Sequence, residues 1–410
     1  MNPAIVVVAY NREGSLKRLL GSLIKARYAD RADLIVSMDK SDNAAVYETA
    51  EAFDWPHGEK RLIRNTERLG LRRHIMACGD LTDLYGSVII LEDDTFAAPD
   101  FYRFASAALS RYRSDDRVAG IALYAMRYNE TARQGFTPFI DHADVFFMQL
   151  PCSWGQCWTK AQWGGFKGWI NEKGAKRSFA DFDLPDNIRR WPETSWKKAF
   201  AAYMVEKDLY FVYPRASLTT NFEEAGVHHQ RDYGKLQVPL QWGRDDFKFK
   251  SPDESLALYD AYHEMIPSKL SRLAADLSVY DFEVDLYGQK DIGKVKKEYI
   301  LTSKKARKAI KTFGKKLKPI ELNMACDIAG SDIVLAKTSD CLNDYDRFAD
   351  EELAYHYHIP IHFVSGNKRF YDEEFKEKER IIDALTHSLS WRITRPLRAV
   401  AGWFLKFFNK

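Results

Sequence analysis

The most constraining feature of this 410-residue sequence is an apolar run that ends in three consecutive carboxylates. Residues 88–91 read Val-Ile-Ile-Leu, and Glu92, Asp93 and Asp94 follow directly. Burying unpaired carboxylates costs on the order of several kcal/mol each, so the chain must expose them, pair them or bind a cation. We therefore predict a buried strand that delivers this acidic triplet (Glu92, Asp93 and Asp94) to a sheet edge. Because carboxylate oxygens are hard ligands, Mg²⁺ or Mn²⁺ is the favoured cation.

The first 125 residues alternate short apolar runs with helical patterns, which is typical of a parallel sheet covered by helices. Strands are predicted at residues 4–9, 33–38, 60–64, 87–91 and 118–123. In an open sheet of this kind, ligands bind beyond the carboxyl ends of the strands, where the acidic triplet lies. We predict an α/β fold with a mostly parallel sheet flanked by helices.

The chain is long enough for two or three domains. We predict that residues 1–270 form the α/β domain that carries the acidic triplet. Residues 276–375 mix short strands with a basic stretch, and we predict a small α+β accessory domain of unknown role. Residues 376–410 are predicted to form an amphipathic helical tail.

Composition and the start of the chain indicate a cytoplasmic protein. The formal net charge of +3 gives no reason to expect a nucleic-acid partner. Five scattered cysteines without a CxxC pair argue against a disulfide framework and a zinc knuckle. The first residues enter a strand pattern without the features of a signal peptide, and no window approaches the roughly twenty apolar residues of a transmembrane helix.

The predicted tail is basic and aromatic, which favours a membrane surface as its partner. Its cations are Arg392, Arg395, Arg398, Lys406 and Lys410. One side of the final helix is apolar, with Leu397, Val400, Ala401, Phe404 and Phe408. Each basic group near an anionic surface contributes roughly 1 kcal/mol, so we expect peripheral attachment to the inner face of the cell membrane. The alternative is a helix that docks against another subunit.

Six short motifs in order resemble those of the GT-A fold nucleotide-sugar glycosyltransferases, the group that unites bacterial family 2 enzymes with the N-acetylglucosaminyltransferase I type. They lie within residues 8–12, 37–39, 65–71, 91–101, 154–158 and 213–228. Only the acidic motif is specific by itself, but the ordered set covers about residues 1–235. The resemblance implies a GT-A (Rossmann-like) fold and a nucleotide-sugar donor, with a UDP-sugar favoured.

The resemblance also implies roles for the acidic triplet. Asp94 would bind the Mn²⁺ or Mg²⁺ ion that bridges the donor diphosphate, while Glu92 and Asp93 would contact ribose and sugar hydroxyls. His228 would add a metal or diphosphate contact, although a histidine hydrogen-bonded within a loop is an equal alternative. Asp39 would recognise uracil or ribose, and its alternative is a turn-forming aspartate.

Further donor contacts are predicted at the start of the chain and in an arginine-rich loop. Asn11 and Arg12 belong to the motif after the first strand. Arg72 and Arg73 are the favoured arginines for gripping phosphate oxygens, since the guanidinium fork matches them well. The alternative is that these arginines lie on a solvated helix face, which would give the same sequence pattern.

The proton acceptor for catalysis is predicted at Glu193. Inverting transfer, the favoured stereochemistry, needs a carboxylate that removes a proton from the attacking hydroxyl. Relatives commonly carry an aspartate after the tryptophan of a Ser-Trp-Asp element, whereas this chain has Lys197 after Trp196. Asp183 and Asp186 are alternatives, and a retaining mechanism or loss of activity also stays open.

Trp154 and Trp158 are predicted to line an acceptor platform, because sugar rings stack their C–H faces on indoles. Core packing is the alternative.

The sequence predicts a bacterial hexosyl- or N-acetylhexosaminyltransferase of surface polysaccharide assembly, acting on a glycan that is expected to be lipid-linked. One rival is a sugar-nucleotide nucleotidyltransferase, which normally has a glycine-rich loop where residues 9–14 contain one glycine. The other is an inactive glycan-binding GT-A protein, which would explain Lys197.

Overall fold

The computed structural model describes residues 1–174, 178–222, 236–343 and 380–381, and those up to 343 belong to one compact unit. In chain order the elements begin with β1 (Ala4–Ala9), α1 (Glu13–Ile24), β2 (Leu34–Met38), α2 (Ala44–Ala52), β3 (Lys60–Arg64), α3 (Gly70–Asp80), α4 (Thr82–Tyr85), β4 (Ser87–Glu92), β5 (Thr95–Ala97), α5 (Phe101–Tyr112), β6 (Val118–Ala122), β7 (Tyr128–Asn129) and β8 (Gln134–Gly135). They continue with β9 (Val145–Met148), β10 (Gln156–Thr159), α6 (Lys160–Trp169), α7 (Asp186–Arg189), α8 (Trp196–Lys207), β11 (Tyr210–Pro214), β12 (Thr219–Asn221), β13 (Leu258–Tyr259), α9 (Pro267–Leu273), β14 (Phe282–Asp285), β15 (Tyr299–Thr302), β16 (Lys311–Phe313), α10 (Leu322–Ala325) and β17 (Ile333–Lys337).

Nine strands form a central sheet in the order β13-β9-β11-β6-β10-β4-β1-β2-β3. Strands β4, β1, β2 and β3 are parallel to one another, whereas β10 is antiparallel to both neighbours, β4 and β6. Five of the eight neighbouring pairs are parallel and three are antiparallel. This mostly parallel sheet with flanking helices confirms the predicted α/β fold class.

The sheet is buried on both faces, which explains the nearly continuous apolar runs of β1, β2 and β4. Successive side chains of a strand point to opposite faces. Val6 and Ile90 accordingly belong to one hydrophobic core, while Val7 and Leu91 belong to the other. The apolar run at 88–91 therefore anchors β4 from both sides and ends where the acidic triplet begins.

A second sheet, in the order β14-β15-β17-β16, lies in the region predicted as an accessory domain. It belongs to the same compact unit as the central sheet. Direct bonds link the two regions: the Tyr287 N–H donates to Glu264, and Lys290 forms an ion pair with Asp260. The gap between residues 270 and 276 is thus no boundary between compact units, and the division into domains stays a prediction.

No helix among the described residues is both long and apolar enough to cross a membrane. The predicted tail at residues 376–410 lies outside the described residues except for positions 380 and 381.

Candidate active site

The acidic triplet occupies the turn between β4 and β5, at the carboxyl end of β4. Glu92 pairs with Val8 of β1, and the Asp93 N–H donates a hydrogen bond to the Val8 carbonyl at 3.1 Å. The Thr95 hydroxyl donates to the Glu92 carbonyl at 2.6 Å and closes the turn. The triplet therefore lies at the sheet edge, as predicted, and its backbone is fixed by bonds to β1 and to itself.

Arg12, in the loop after β1, forms ion pairs with the acidic triplet at this edge of the sheet. Its guanidinium hydrogen-bonds Asp93 and lies 3.1 Å from Asp94 Oδ2. Burial lowers the pKa of Arg12, but Asp93 and Asp94 outweigh it and hold that pKa above its usual value. Burial raises the pKa of Asp93 to about 6, because the Arg12 charge offsets only part of the desolvation and Asp94 adds repulsion. Arg12 thus neutralises one side of the triplet.

The other side of the triplet holds two carboxylate oxygens without partners. Glu92 Oε1 and Asp94 Oδ1 are buried and accept no hydrogen bond from any described residue. Burial, and then repulsion by Asp94 and Asp93, raises the pKa of Glu92 to about 8. Buried polar atoms of this kind call for a partner, and a hard divalent cation would supply one.

The described residues alone do not complete a metal site, since no three His, Cys, Asp or Glu side chains among them are placed to hold an ion. His228, the second predicted ligand, lies outside the described residues. The orphaned oxygens of Glu92 and Asp94 still fit an ion that takes its remaining ligands from a bound diphosphate or water, because Mg²⁺ commonly binds one or two carboxylates together with substrate phosphates.

Asp39 lies at the end of β2 and is 3% exposed. Its Oδ1 accepts from the N–H groups of Lys40 and Leu69 at 2.9 and 2.7 Å, and its Oδ2 accepts from Gly70 at 2.9 Å. Gly70 has a φ of +73°, which suits glycine. Asp39 therefore orders the turn that begins α3, as the turn-forming alternative expects, and its contact with uracil or ribose stays a prediction.

The predicted donor residues Arg72 and Arg73 point to different partners. Arg72 Nη1 donates to the Glu193 carbonyl at 2.9 Å, which ties α3 to the loop before α8. Arg73 forms an exposed ion pair with Glu67, as a solvated helix face would. Asn11 is exposed, and its carbonyl accepts from the Asn43 amide. The donor roles of these residues stay predictions.

Glu193, the predicted base, is 74% exposed and lies beside a buried lysine. Lys198 Nζ donates to Glu193 Oε1 at 2.6 Å and to the Trp191 carbonyl at 3.0 Å. Glu193 therefore serves as the counter-charge of Lys198 in this structure. Its role as proton acceptor stays a prediction.

The two tryptophans predicted to form a platform have different environments. Trp158 is fully buried in β10, with ring centroids 4.9 Å from Trp163 and 5.9 Å from Trp196. It presents no face to a ligand, so the prediction for Trp158 is wrong and core packing applies. Trp154 is half-buried in the preceding loop, where Lys197 Nζ lies 5.3 Å from its ring centroid.

Two residues of the site were missed in the sequence. Gln156, inside the 154–158 motif, is fully buried beside Ile90 of β4, and its amide atoms find no partner among the described residues. Trp191 presents its ring to Lys197 at 5.0 Å. The motif itself pointed to Gln156, whereas no local pattern distinguishes Trp191 from the other tryptophans.

Comparisons with known proteins agree with this geometry. Residues 4–159 match the family model for glycosyl transferase family 2. An Arabidopsis thaliana alpha-1,3-mannosyl-glycoprotein 2-beta-N-acetylglucosaminyltransferase is 24% identical over 266 residues, covering 61% of this chain. The match spans 53% of that relative, so this chain covers about half its length.

Two solved structures illustrate the range of similar proteins. GalNAc-T7 with UDP, GalNAc and Mn²⁺ is 12% identical, with a TM-score of 0.36 over 52% of this chain and 43% of that one. Staphylococcus aureus TarS 1-349 in complex with UDP-GlcNAc is 14% identical, with a TM-score of 0.32 over 55% and 62% of the two chains. Residues 4–159 are thus similar to glycosyl transferase family 2, and the chain is similar over 266 residues to a 2-beta-N-acetylglucosaminyltransferase.

Proposed function

We propose that this protein transfers a hexosyl or N-acetylhexosaminyl group from a nucleotide-sugar donor, with a UDP-sugar favoured, to a glycan acceptor. The observation that carries the proposal is the pair of orphaned carboxylate oxygens of Glu92 and Asp94 at the end of β4. Arg12 neutralises the opposite side of the triplet. This asymmetry leaves room for one further cation, which suits a donor diphosphate held through Mn²⁺ or Mg²⁺.

In the proposed reaction, an acceptor oxygen forms a bond to the anomeric carbon as the bond to the diphosphate oxygen breaks. A bound divalent ion would supply charge neutralisation for the leaving nucleotide diphosphate. Asp94, together with the orphaned oxygen of Glu92, would hold the ion, Asp93 would orient the donor through its hydroxyls, and Arg12 keeps Asp93 and Asp94 in place. Glu193 would take the proton of the attacking hydroxyl, giving inversion.

The setting of the reaction is proposed from the sequence. Surface polysaccharide assembly in a bacterium, a lipid-linked acceptor and attachment to the inner membrane face rest on the basic-aromatic tail of residues 376–410. In this proposal, the tail would bring the enzyme to the membrane face at which lipid-linked glycans are assembled.

Hydrolysis of UDP-sugars by the purified full chain tests the activity and its metal dependence. We expect release of UDP with Mn²⁺, its loss with a chelator, and a reduction of about 100-fold or more in Asp94→Asn, the scale for removing one electrostatic contact to the reacting groups. Asp83→Asn is the matched control, because Asp83 is a surface carboxylate paired with Lys160.

The outcomes separate the alternatives. Turnover that persists with a chelator would refute the metal role while leaving the transferase. Glycan binding without hydrolysis of any donor would identify a binding protein. Formation of a nucleotide sugar from a nucleoside triphosphate and a sugar 1-phosphate would identify a nucleotidyltransferase.

A further inference from the structure

Lys197 occupies an unusual position for a cation. It lies in the first turn of α8, after the capping residue Ser195, where the helix dipole favours carboxylates over lysines. Its neighbour Lys198 occupies the same turn but is compensated by Glu193 and by the Trp191 carbonyl. Across residues 1–174, 178–222 and 236–343, no such hydrogen bond or ion pair reaches Lys197. The two adjacent lysines therefore differ in their electrostatic environment: Lys198 has a direct counter-charge and Lys197 does not.

Two indole rings hold Lys197 in place. Its Nζ lies 5.3 Å from the ring centroid of Trp154 and 5.0 Å from that of Trp191, within the range of cation–π attraction. All three side chains are half-buried. Trp154 is itself supported by Tyr124, whose ring centroid is 4.7 Å away. The lysine is thus pre-positioned without having its charge cancelled.

This cluster of Lys197, Trp154 and Trp191 lies beside the acidic triplet. The Trp154 carbonyl accepts a 2.5 Å hydrogen bond from the Thr219 hydroxyl in β12, and Thr219 pairs with Ala97 in β5, the strand that follows the triplet. The charge of Lys197 also reaches Glu92, whose pKa it lowers, although burial and the neighbouring aspartates raise that pKa overall. A ligand at the cluster would therefore lie next to the proposed donor site.

Lys197 lowers the pKa of Glu92 more than Arg12 does, but it forms no direct ion pair with the triplet. Arg12 forms the direct ion pairs with Asp93 and Asp94, whereas no carboxylate of the triplet lies within ion-pair distance of Lys197. An ammonium group suits an anion, while indole faces suit the apolar C–H face of a sugar ring. A ligand that satisfies all three side chains is a sugar that carries its own negative charge.

Building on the proposed transferase function, we propose that Lys197, Trp154 and Trp191 bind an acidic sugar of the acceptor, with Lys197 pairing its carboxylate or phosphate. The acceptor would then be an anionic glycan. Lys197 acts as a specificity-determining residue, and the donor diphosphate stays with the triplet.

Binding of paired small probes to the full chain tests this proposal. Methyl β-D-glucuronide and methyl β-D-glucoside share a ring and differ in one carboxylate, and glucose 6-phosphate supplies the phosphate. We expect the wild type to bind the anionic probes about fivefold to tenfold more tightly in NMR titrations, the scale of one partly exposed ion pair. Lys197→Met keeps the indole contacts and should remove this preference, whereas Lys207→Met, at the exposed end of α8, should retain it.

Donor hydrolysis, measured in the same variants, separates this proposal from the proposed function. Loss of the anion preference in Lys197→Met, with wild-type preference and wild-type hydrolysis in Lys207→Met, supports an acceptor site. Equal affinity of the wild type for all probes, or a preference that survives in Lys197→Met, would overturn the proposal. A parallel loss of donor affinity in that variant would overturn it in favour of a diphosphate contact. An anion preference that depends on Lys197, in a protein that hydrolyses no donor, would keep the binding site and refute the transferase.

Discussion

Replacing Glu92 by glutamine should stabilise the metal-free protein at alkaline pH, although it removes a residue of the proposed site. Burial, then Asp94 and Asp93, raises the pKa of Glu92 from 4.5 to about 8. The folded state therefore retains a proton that the unfolded chain releases, so the stability contributed by Glu92 is complete below pH 4.5 and is lost as the pH rises to about 8.

The structure sets the size of this effect. The interval from 4.5 to about 8 corresponds to about 5 kcal/mol at 1.36 kcal/mol per pH unit, and the part of it above pH 6.5 is about 2 kcal/mol. Asp93 acts in the same direction but only up to its pKa of about 6. Glu264 and Glu321 are also buried with raised pKa values and act in the same direction, so the contribution of Glu92 is the difference between the wild type and Glu92→Gln.

The assay is urea unfolding with a chelator present, followed by tryptophan fluorescence at half-unit steps from pH 6.5 to 8.5. Over this range the free energy of unfolding should fall by about 1–2 kcal/mol more in the wild type than in Glu92→Gln. Glu48→Gln, an exposed change on α2, should follow the wild type. Mn²⁺ at pH 8 should restore stability to the wild type more than to Glu92→Gln. A lower stability of Glu92→Gln than of the wild type at pH 8 would refute the argument.

Two further predictions concern the tryptophans and the tail. Trp158→Ala should lower the free energy of unfolding by about 3–5 kcal/mol, because it opens a cavity in the core. Trp154→Ala should lower it much less but should weaken binding of the glucoside probe. Equal losses of stability in urea unfolding would contradict these placements. In liposome flotation with anionic vesicles, the full chain should float, and a chain that ends before Ser388 should stay in the soluble fraction. Undiminished flotation of the shorter chain would refute the membrane role of the tail.

The acidic triplet could be placed from the sequence because its signal is local. An apolar run at residues 88–91 that stops at three carboxylates leaves few alternatives to a buried strand ending at a sheet edge. The insertion of β10 between β4 and β6 is different, since it depends on packing between segments far apart in the chain. That insertion buries Trp158 and leaves Trp154 in the loop, and nothing in the motif at 154–158 distinguishes these two residues.

The hydrogen-bond and ion-pair partners of the charged residues likewise could not be predicted from local sequence patterns. The sequence shows that Lys197 replaces an expected aspartate, but only the structure shows that Lys198 captures Glu193 and that Arg72 binds the Glu193 carbonyl. Each of these contacts depends on how the loop before α8 folds against α3 and α8. A carboxylate near the predicted position is therefore insufficient to identify a catalytic base.

Two of the charged groups without full internal compensation lie where β4 ends and where α8 begins. At the first point, burial and then Asp94 and Asp93 raise the pKa of Glu92; at the second, Lys197 opposes the helix dipole without an ion pair to any described residue. Asp141, by contrast, is compensated by Arg215 and Ser255, whereas the buried Glu264 and Glu321 each keep an oxygen without a partner among the described residues. Sequences that break a local rule without internal compensation usually do so at functional sites. The opposite signs of Glu92 and Lys197 suit the proposed reaction between a metal-bound donor and an anionic acceptor, because the donor and the acceptor each need a cation of their own.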